Sequence, residues 1–562
     1  MNSDFSTYSV SPPDFEKVAA QYAEFHLALD SEQDAERWRQ VMADWDKLRR
    51  ELYEWKAVTE IRFTQDTKNE DYKSAKEHCD RLRPKLTDLN VALKRRLLDA
   101  PVRQFIDREF GGHVLDLWQC DIASFDPVIH DDLIRQSSLE TEYTELLASA
   151  SFDFQNEKLT LSQIGKFAEH TDRKVRRDAA GVRTAWFVDN QEQLDRIYAD
   201  LVRLRDGMAR KLGYDNFVGL GYQWMHRVDY DENDVEVFRN QVRDHVVPLC
   251  VELKRRQAAA LEVDPLMFWD EALHDPHGNP APQGDHDWMV DRAREMFRAL
   301  GSGMDEFFAA MCDRNLMDLK SRDGKAGGGY CDGLPMLGMP FIFANFNGTK
   351  GDVEVFTHEM GHAFQNYSSR HLPFVDLIWP TSEGAEIHSM SLEFLTWPEM
   401  ERFFGGEAAR FRKIHLTGSI SFLPYGVAVD HFQHLVYKEP DATPERRNEM
   451  WQDLERTYLP WQNFGDLQFE SSGRRWQAKQ HIYNSPFYYI DYTLALTCAM
   501  QLWLRAEEDL AAAMQTYVAL CQQGGSAPFR KLVQSAGLKT PFEVGCLTGV
   551  VEAARKWLDA AV

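Results

Sequence analysis

The chain is 562 residues long, 44% hydrophobic and 12% aromatic, with 64 Lys and Arg against 89 Asp and Glu and a formal net charge of −25. That length excludes the small disulfide- or metal-stapled scaffolds, and a strongly negative charge with no Lys/Arg-rich run to offset it repels polyanions, so no nucleic-acid partner is expected. No apolar run approaches a membrane span, the first residues lack the basic and apolar regions of a secretory leader, and the eight cysteines are scattered without a CxxC; a soluble, cytoplasmic protein with reduced thiols and no membrane partner is expected.

In chain order, Trp38, Val41, Trp45, Leu48, Leu52 and Trp55 step by three and four, which predicts a helix with one buried stripe, as in an antiparallel hairpin or bundle. Leu194, Ile197, Leu201, Leu204, Met208 and Leu212 repeat the spacing and stop at Gly213, a residue suited to the left-handed position that ends a helix. Apolar residues recur in this way through most of the chain while alternating strand patterns are few, so the fold is predicted to be mainly α. His274 to Asp287 (HDPHGNPAPQGDHD) predicts a loop; its histidines and aspartates have no helical ligand spacing and read as turn residues. Asp323 to Gly329 (DGKAGGG) is a second break without the phosphate-loop pattern, and Pro340 to Asn347 (PFIFANFN) is the best short strand, closing at Asn347-Gly348 before a long helical stretch.

That stretch carries the decisive motif. His358-Glu359-Met360-Gly361-His362 is H-E-x-x-H in a helical context, with Thr349 or Asp352 placed to cap the start. Four residues apart on a helix, the two imidazoles leave from one face and can close on a single ion, while Glu359, about 100° round, reaches water at the ion without entering its coordination sphere. A zinc site of this kind needs a third protein ligand and an open fourth position. The next helix offers Glu383, Glu386, His388 and Glu393; Glu386 is the chosen ligand, with Glu383 and His388 as competitors, and Glu393, nearly two turns on, is placed to accept the free N–H of a ligating histidine. Of two other metal readings, the metzincin one fails, since Gln365 and Ser368 stand where it needs Gly and His, and a di-iron bundle is a minor alternative, since its second E-x-x-H, Glu271 to His274, runs into the Asp275-Pro276 turn, a poor place for a mid-helix ligand. A third block, His481 to Tyr492 (HIYNSPFYYIDY), places Tyr489 and Tyr492 three apart after Pro486; beside a zinc site such hydroxyls are neutral donors for the oxyanion of a tetrahedral intermediate.

With GGGYC at Gly327 to Cys331, PFIFANFNGT at Pro340 to Thr349, HEMGHAFQ, AEIHSMSLEFL at Ala385 to Leu395 and the last tyrosine block, the chain resembles oligoendopeptidase F and related thimet-oligopeptidase-like zinc metallopeptidases over roughly Leu194 to the C-terminal region. The resemblance implies a mainly α, two-lobed metallopeptidase with a deep substrate channel and a small β-sheet near the active site. It implies one Zn2+ per chain on His358, His362 and Glu386, with Glu359 as general base. It also implies that the histidine and tyrosines of the last block serve substrate binding and oxyanion stabilisation, placed here on His481, Tyr489 and Tyr492, with Tyr488 a rival for Tyr489. Residues 1–160 are expected to form an N-terminal helical part of the channel wall and 161–562 the catalytic region. The activity expected is cleavage of internal bonds of short oligopeptides, gripped by strand addition along Ile342, Ala344 and Phe346. The alternatives are a related zinc carboxypeptidase or dipeptidase, with Arg474 and Arg475 available for a terminal carboxylate, and a peptide-binding protein that has lost the chemistry.

Overall fold

The computed structural model describes residues 4–30, 35–99 and 101–560. Helices take up 72% of it, so the architecture is mainly α and the sheets are local fittings. The tryptophan stripe lies on α1 (Ala35–Gln65), which pairs with α2 (Glu70–Leu97) as a helical hairpin. The connection is short because Asn69 caps α2, accepting from the N–H groups of Asp71 and Tyr72 at 3.0 and 3.1 Å. Trp38, Val41, Trp45 and Leu48 join Phe105, Trp118, Phe374 and Leu377 in one buried cluster. Arg49 of α1 pairs with Asp376 at 2.5 Å and lies 3.6 Å over the Trp45 ring, so the hairpin is tied to the segment that precedes the second site helix. The leucine series lies on α3 (Arg173–Lys211) up to Met208, with Leu212 as the residue that caps its end and Gly213 following at φ +86°. The His274 loop stops two residues early, because Asp285 caps the helix His286–Leu300 by accepting from the Trp288 N–H at 3.0 Å.

A hairpin of β1 (Phe152–Phe154) and β2 (Glu157–Leu159) stands apart from a three-stranded sheet of β3 (Met317–Lys320), β4 (Tyr330–Leu334) and β5 (Met339–Phe346). The sheet order is β3-β5-β4, with β5 parallel to β3 and antiparallel to β4. The strand expected to grip substrate is therefore the middle one. Ile342 and Ala344 are fully buried and both sides of β5 are occupied, so strand addition along Ile342, Ala344 and Phe346 is ruled out. The available edge belongs to β4. The N–H of Ile342 goes to Leu316 on the β3 side, and Ile342 lies opposite Cys331. The backbone groups of Cys331 are thereby turned outward, as is the N–H of Gly333, which is bonded to the Asp332 carboxylate at 2.8 Å.

Four helices complete the frame. α4 (Lys350–Ser369) packs on the sheet, α5 (Ser382–Leu395) packs on α4, and α7 (Tyr489–Glu508) covers α5, while α6 (Ala408–Lys438) backs α7. Asp352, rather than the Thr349 side chain, secures the start of α4 by accepting from the N–H groups of Asn347 and Gly348 at 2.9 and 2.7 Å. The crossing of α4 and α5 is close because residue 361 is glycine: a Cβ there would lie 2.6 Å from the His388 carbonyl oxygen and from the Ser389 Cα. Backbone cannot yield as a side-chain tip can, so any larger residue forces the two helices apart. Among the described residues no helix is long and apolar enough to cross a membrane, and all eight cysteines are free.

Candidate active site

The crossing at Gly361 brings His358 and His362 of α4 against Glu386 of α5. Both Nε2 atoms lie 3.2 Å from the same carboxylate oxygen, Oε2 of Glu386. Among the described residues this is the one group of three His, Cys, Asp or Glu side chains whose ligand atoms all fall within 4.8 Å of one another. The competitors go elsewhere. Glu383 is buried, its pKa raised to about 7 by burial against the opposing pull of Arg227, and His388 is buried beside Tyr517, its pKa lowered to about 4 by burial.

The residues fit a metal ion. The Nδ1 of His358 is 2.7 Å from Glu393 Oε1, and a proton shared there leaves the Nε2 with a bare lone pair facing the Glu386 carboxylate. Basic atoms aimed at one another require a cation between them. Burial opposes charge on His358, yet Glu386 and Glu393 outweigh it and hold the pKa well above the usual imidazole value; burial likewise opposes ionisation of Glu386, and His362 and His358 outweigh that. Two imidazole nitrogens and one carboxylate oxygen suit zinc, whose tetrahedral ligands at about 2.0–2.2 Å stand about 3.3 Å apart. Tyr488 and Ser389 occupy the other positions on Glu386, donating at 2.5 Å to Oε1 and 2.7 Å to Oε2.

Behind the triad runs a chain of orienting bonds that sequence reasoning followed only to Glu393. The Nε1–H of Trp397 donates to His415 Nδ1 at 3.1 Å, so the proton of His415 sits on Nε2 and donates to Glu393 Oε2 at 2.8 Å. Glu393 thus accepts from His415 through one oxygen and from His358 through the other. Glu393→Gln offers one acceptor oxygen to two imidazole donors and is expected to weaken zinc binding about 10- to 100-fold, read by competition with a chromophoric chelator.

The triad opens into a cavity of about 240 Å3 whose walls include Tyr53, Cys331, Glu359, Tyr488 and Tyr492. Glu359 is buried, with no hydrogen bond to Oε2, and burial raises its pKa against the pull of His358 and His362. Gly329 leaves room above it: a Cβ there would stand 3.2 Å from Glu359 Oε1. Tyr53 enters from α1, its hydroxyl donating to Asp332 at 2.8 Å, a wall residue with no sequence signal of its own.

The tyrosine block departs from expectation by one residue. Phe487 takes a left-handed conformation at φ +65°, its N–H donating to Gln433 Oε1 at 2.8 Å and its carbonyl accepting from Arg227 at 2.6 Å. Arg227 also pairs with Asp491 at 2.9 Å. α7 therefore begins so that Tyr488 and Tyr492, four apart, share the cavity face with ring centroids 5.2 Å apart. Tyr489 is turned away and is 5% exposed, packed against Phe422 and Tyr425, with the Lys479 ammonium 4.8 Å from its ring centre. The structure thus does not bring Tyr489 to the cavity, whereas it does bring Tyr488. His481 lies behind Tyr492, its Nε2 3.0 Å from the hydroxyl oxygen; burial, reinforced by Lys479, lowers its pKa to about 3, so the imidazole is neutral.

Residues 5–125 match the Peptidase M3 N-terminal domain and residues 302–550 match Peptidase family M3. Oligoendopeptidase F of Lactococcus lactis subsp. cremoris is 23% identical over 399 residues, 68% of this chain and 62% of that protein, so the match spans less than two thirds of the relative. Solved structures align along nearly the whole length. An oligoendopeptidase F-type protein is 43% identical at a TM-score of 0.98, with 99% of both chains covered. PZ peptidase A bound to an inhibitor is 41% identical, again at 0.98 with 99% of both chains covered. A further oligoendopeptidase F-type protein, from Bacillus anthracis str. Ames, is 39% identical at 0.93, covering 99% of this chain and 98% of that one. On sequence and fold alike, the chain belongs to peptidase family M3, alongside the oligoendopeptidase F proteins.

Proposed function

We propose that the chain is a zinc-dependent endopeptidase that hydrolyses internal bonds of short oligopeptides. The observation that carries this reading is the convergence of His358, His362 and Glu386 at one wall of a cavity into which Glu359 presents an unpartnered carboxylate. One ion per chain, held by those three side chains, supplies Lewis acidity for the scissile carbonyl and for water. Glu359 takes the proton from the attacking water and passes it to the leaving amine. Tyr492 donates to the developing oxyanion: with the His481 proton on Nε2, that N–H bonds the phenol oxygen and leaves its own hydrogen free for the cavity. Tyr488 anchors Glu386, and the outward N–H and C=O of Cys331 pair with the substrate main chain, a grip that reads backbone and tolerates many side chains.

Tyr492→Phe is expected to lower kcat about a hundredfold with KM within about twofold, because the hydroxyl acts only once charge has moved onto oxygen. An endopeptidase is favoured over a carboxypeptidase built on Arg474 and Arg475, since Arg475 is paired with Glu455 at 3.1 Å and Arg474 donates to Ser472 at 3.2 Å. The free cysteines suit a reducing cytoplasm. The test is a mass spectrum of an unstructured peptide of about ten residues after incubation with the protein. Internal cuts that a chelator abolishes and zinc restores uphold the reading; stepwise loss of C-terminal residues replaces it with the carboxypeptidase, and an intact peptide removes it.

A further inference from the structure

Glu54 of α1 is 1% exposed and, among the described residues, has no Lys or Arg paired with it. A buried carboxylate without a countercharge is costly unless hydrogen-bond donors converge on it. Three do: Oε2 accepts from the N–H of Met336 and from that of Leu337 at 3.1 Å, and Oε1 accepts from the Tyr8 hydroxyl. Two of these donors are backbone groups of the turn, residues 335–338, that joins β4 to β5. The turn closes on itself, the Gly338 N–H donating to the Leu334 carbonyl at 2.8 Å, but the Met336 side chain is exposed and that of Leu337 half-buried, so packing gives the tip little hold. Tyr8 is itself secured, since Arg62 donates to its carbonyl at 3.2 Å and to that of Phe5 at 2.6 Å. Burial and the Glu54 carboxylate both raise the Tyr8 pKa, which keeps the phenol a donor.

Glu54 extends a series of contacts by which α1 holds β4. Tyr53 donates to Asp332 at 2.8 Å, and Thr64 Oγ1 lies 2.6 Å from the Tyr330 hydroxyl. Between residues 54 and 64 a helix rises about 15 Å, and between 330 and 336 an extended chain covers about 20 Å, so helix and strand lie side by side and run in opposite directions. The side chains of Tyr330 and Asp332 leave one face of β4, and position 333 points to the other. On that other face β4 lies close against α4: a Cβ on Gly333 would stand 2.8 Å from Asn366 Nδ2, and one on Gly329, just before the strand, 3.2 Å from Glu359 Oε1. β4 is thus clamped between α1 and the helix that carries both histidines, with its outward edge at Cys331 bordering the zinc cavity.

Resting on the peptidase reading, the geometry points to Glu54 as a positioning residue for the substrate: it pins the tip of the β4–β5 hairpin to α1 and so fixes the edge of β4 over the zinc triad, with Tyr8 holding Glu54 in turn. Glu54 touches no reacting atom, and it acts through the strand. An edge released at its tip has to be ordered by each incoming peptide, a cost charged to binding. A peptide once bound still meets the same triad, Glu359 and Tyr492, so the loss falls on KM and not on kcat.

The test is steady-state kinetics on a short unstructured peptide, with zinc content and amide hydrogen exchange over residues 335–338 measured on the same preparations. Glu54→Ala is expected to raise KM about tenfold with kcat within about twofold, the size and sign of a lost charge-assisted contact that serves binding alone. Zinc stays stoichiometric, and the Met336 and Leu337 amides exchange faster than in the wild type. Glu54→Gln is expected to bring KM back to within about threefold, since its oxygen takes the two N–H groups while its amide donates to the Tyr8 oxygen. Tyr8→Phe, which leaves Glu54 in place, is expected to raise KM about two- to threefold, and it decides the matter where Glu54→Ala does not fold. An unchanged KM in Glu54→Ala or, where that variant does not fold, in Tyr8→Phe overturns the positioning role and leaves the peptidase standing. So does a loss confined to kcat, or a folded Glu54→Gln that fails to restore KM. A wild type that leaves the peptide intact overturns the peptidase reading together with this one.

Discussion

Glu359→Gln is expected to lower the hydrolysis of a short peptide by about three to four orders of magnitude while the protein still binds one zinc per chain. The two halves of this result come from geometry. Glu359 shares a helix with both histidines but sits about 100° from His358, and it takes no part in the cluster whose atoms fall within 4.8 Å of one another. Its Oε2 has no protein partner, and Gly329 leaves the space above it free. A glutamine of the same shape fills that space without disturbing the histidines, but it cannot accept the proton of the attacking water. Activity assays and zinc analysis on the same preparation check both halves: substantial residual activity removes Glu359 from the mechanism, and loss of zinc makes it a ligand.

Glu386→Ala is expected to show the opposite pattern, losing zinc and activity together. Glu386 gives one oxygen to both histidines and receives Ser389 on that oxygen and Tyr488 on the other, so its carboxylate is fixed in place before any ion arrives. Without it the ion keeps two protein ligands, fewer than catalytic zinc sites use. The loss of affinity should exceed the roughly 10- to 100-fold expected for an orienting partner such as Glu393. Zinc measured after gel filtration checks this; stoichiometric metal in the variant would place the third ligand elsewhere.

Much of the site was legible because its decisive spacings are local. Residues four apart on a helix project together whatever surrounds them, so His358 and His362 declare themselves, and Glu393 follows from Glu386 by two further turns. What the sequence leaves hidden depends on tertiary placement. His415 reaches Glu393 only because α6 packs on α7, which covers α5, and Tyr53 enters the cavity because the α1 and α2 hairpin is anchored at Asp376; neither contact has a spacing to betray it. The exchange of Tyr489 for Tyr488 turns on a single backbone angle. Pro486 marks a break, but the positive φ of Phe487 is imposed by Arg227 and Gln433, far off in sequence, and one residue of phase rotates a side chain by about 100°. The misplaced strand did carry a signal. Phe341 to Ala344 is apolar without alternation, the mark of a strand covered on both faces, and such a strand sits inside a sheet more naturally than at its edge.

Anomalous diffraction at the zinc absorption edge, from crystals grown with zinc, tests the central claim most directly. The account expects one strong peak per chain, about 2.0–2.2 Å from Nε2 of His358, Nε2 of His362 and a carboxylate oxygen of Glu386, with Glu359 outside bonding distance and the remaining position facing the cavity. A peak coordinated by Glu359, Glu383 or His388, or no peak at the triad, would contradict it.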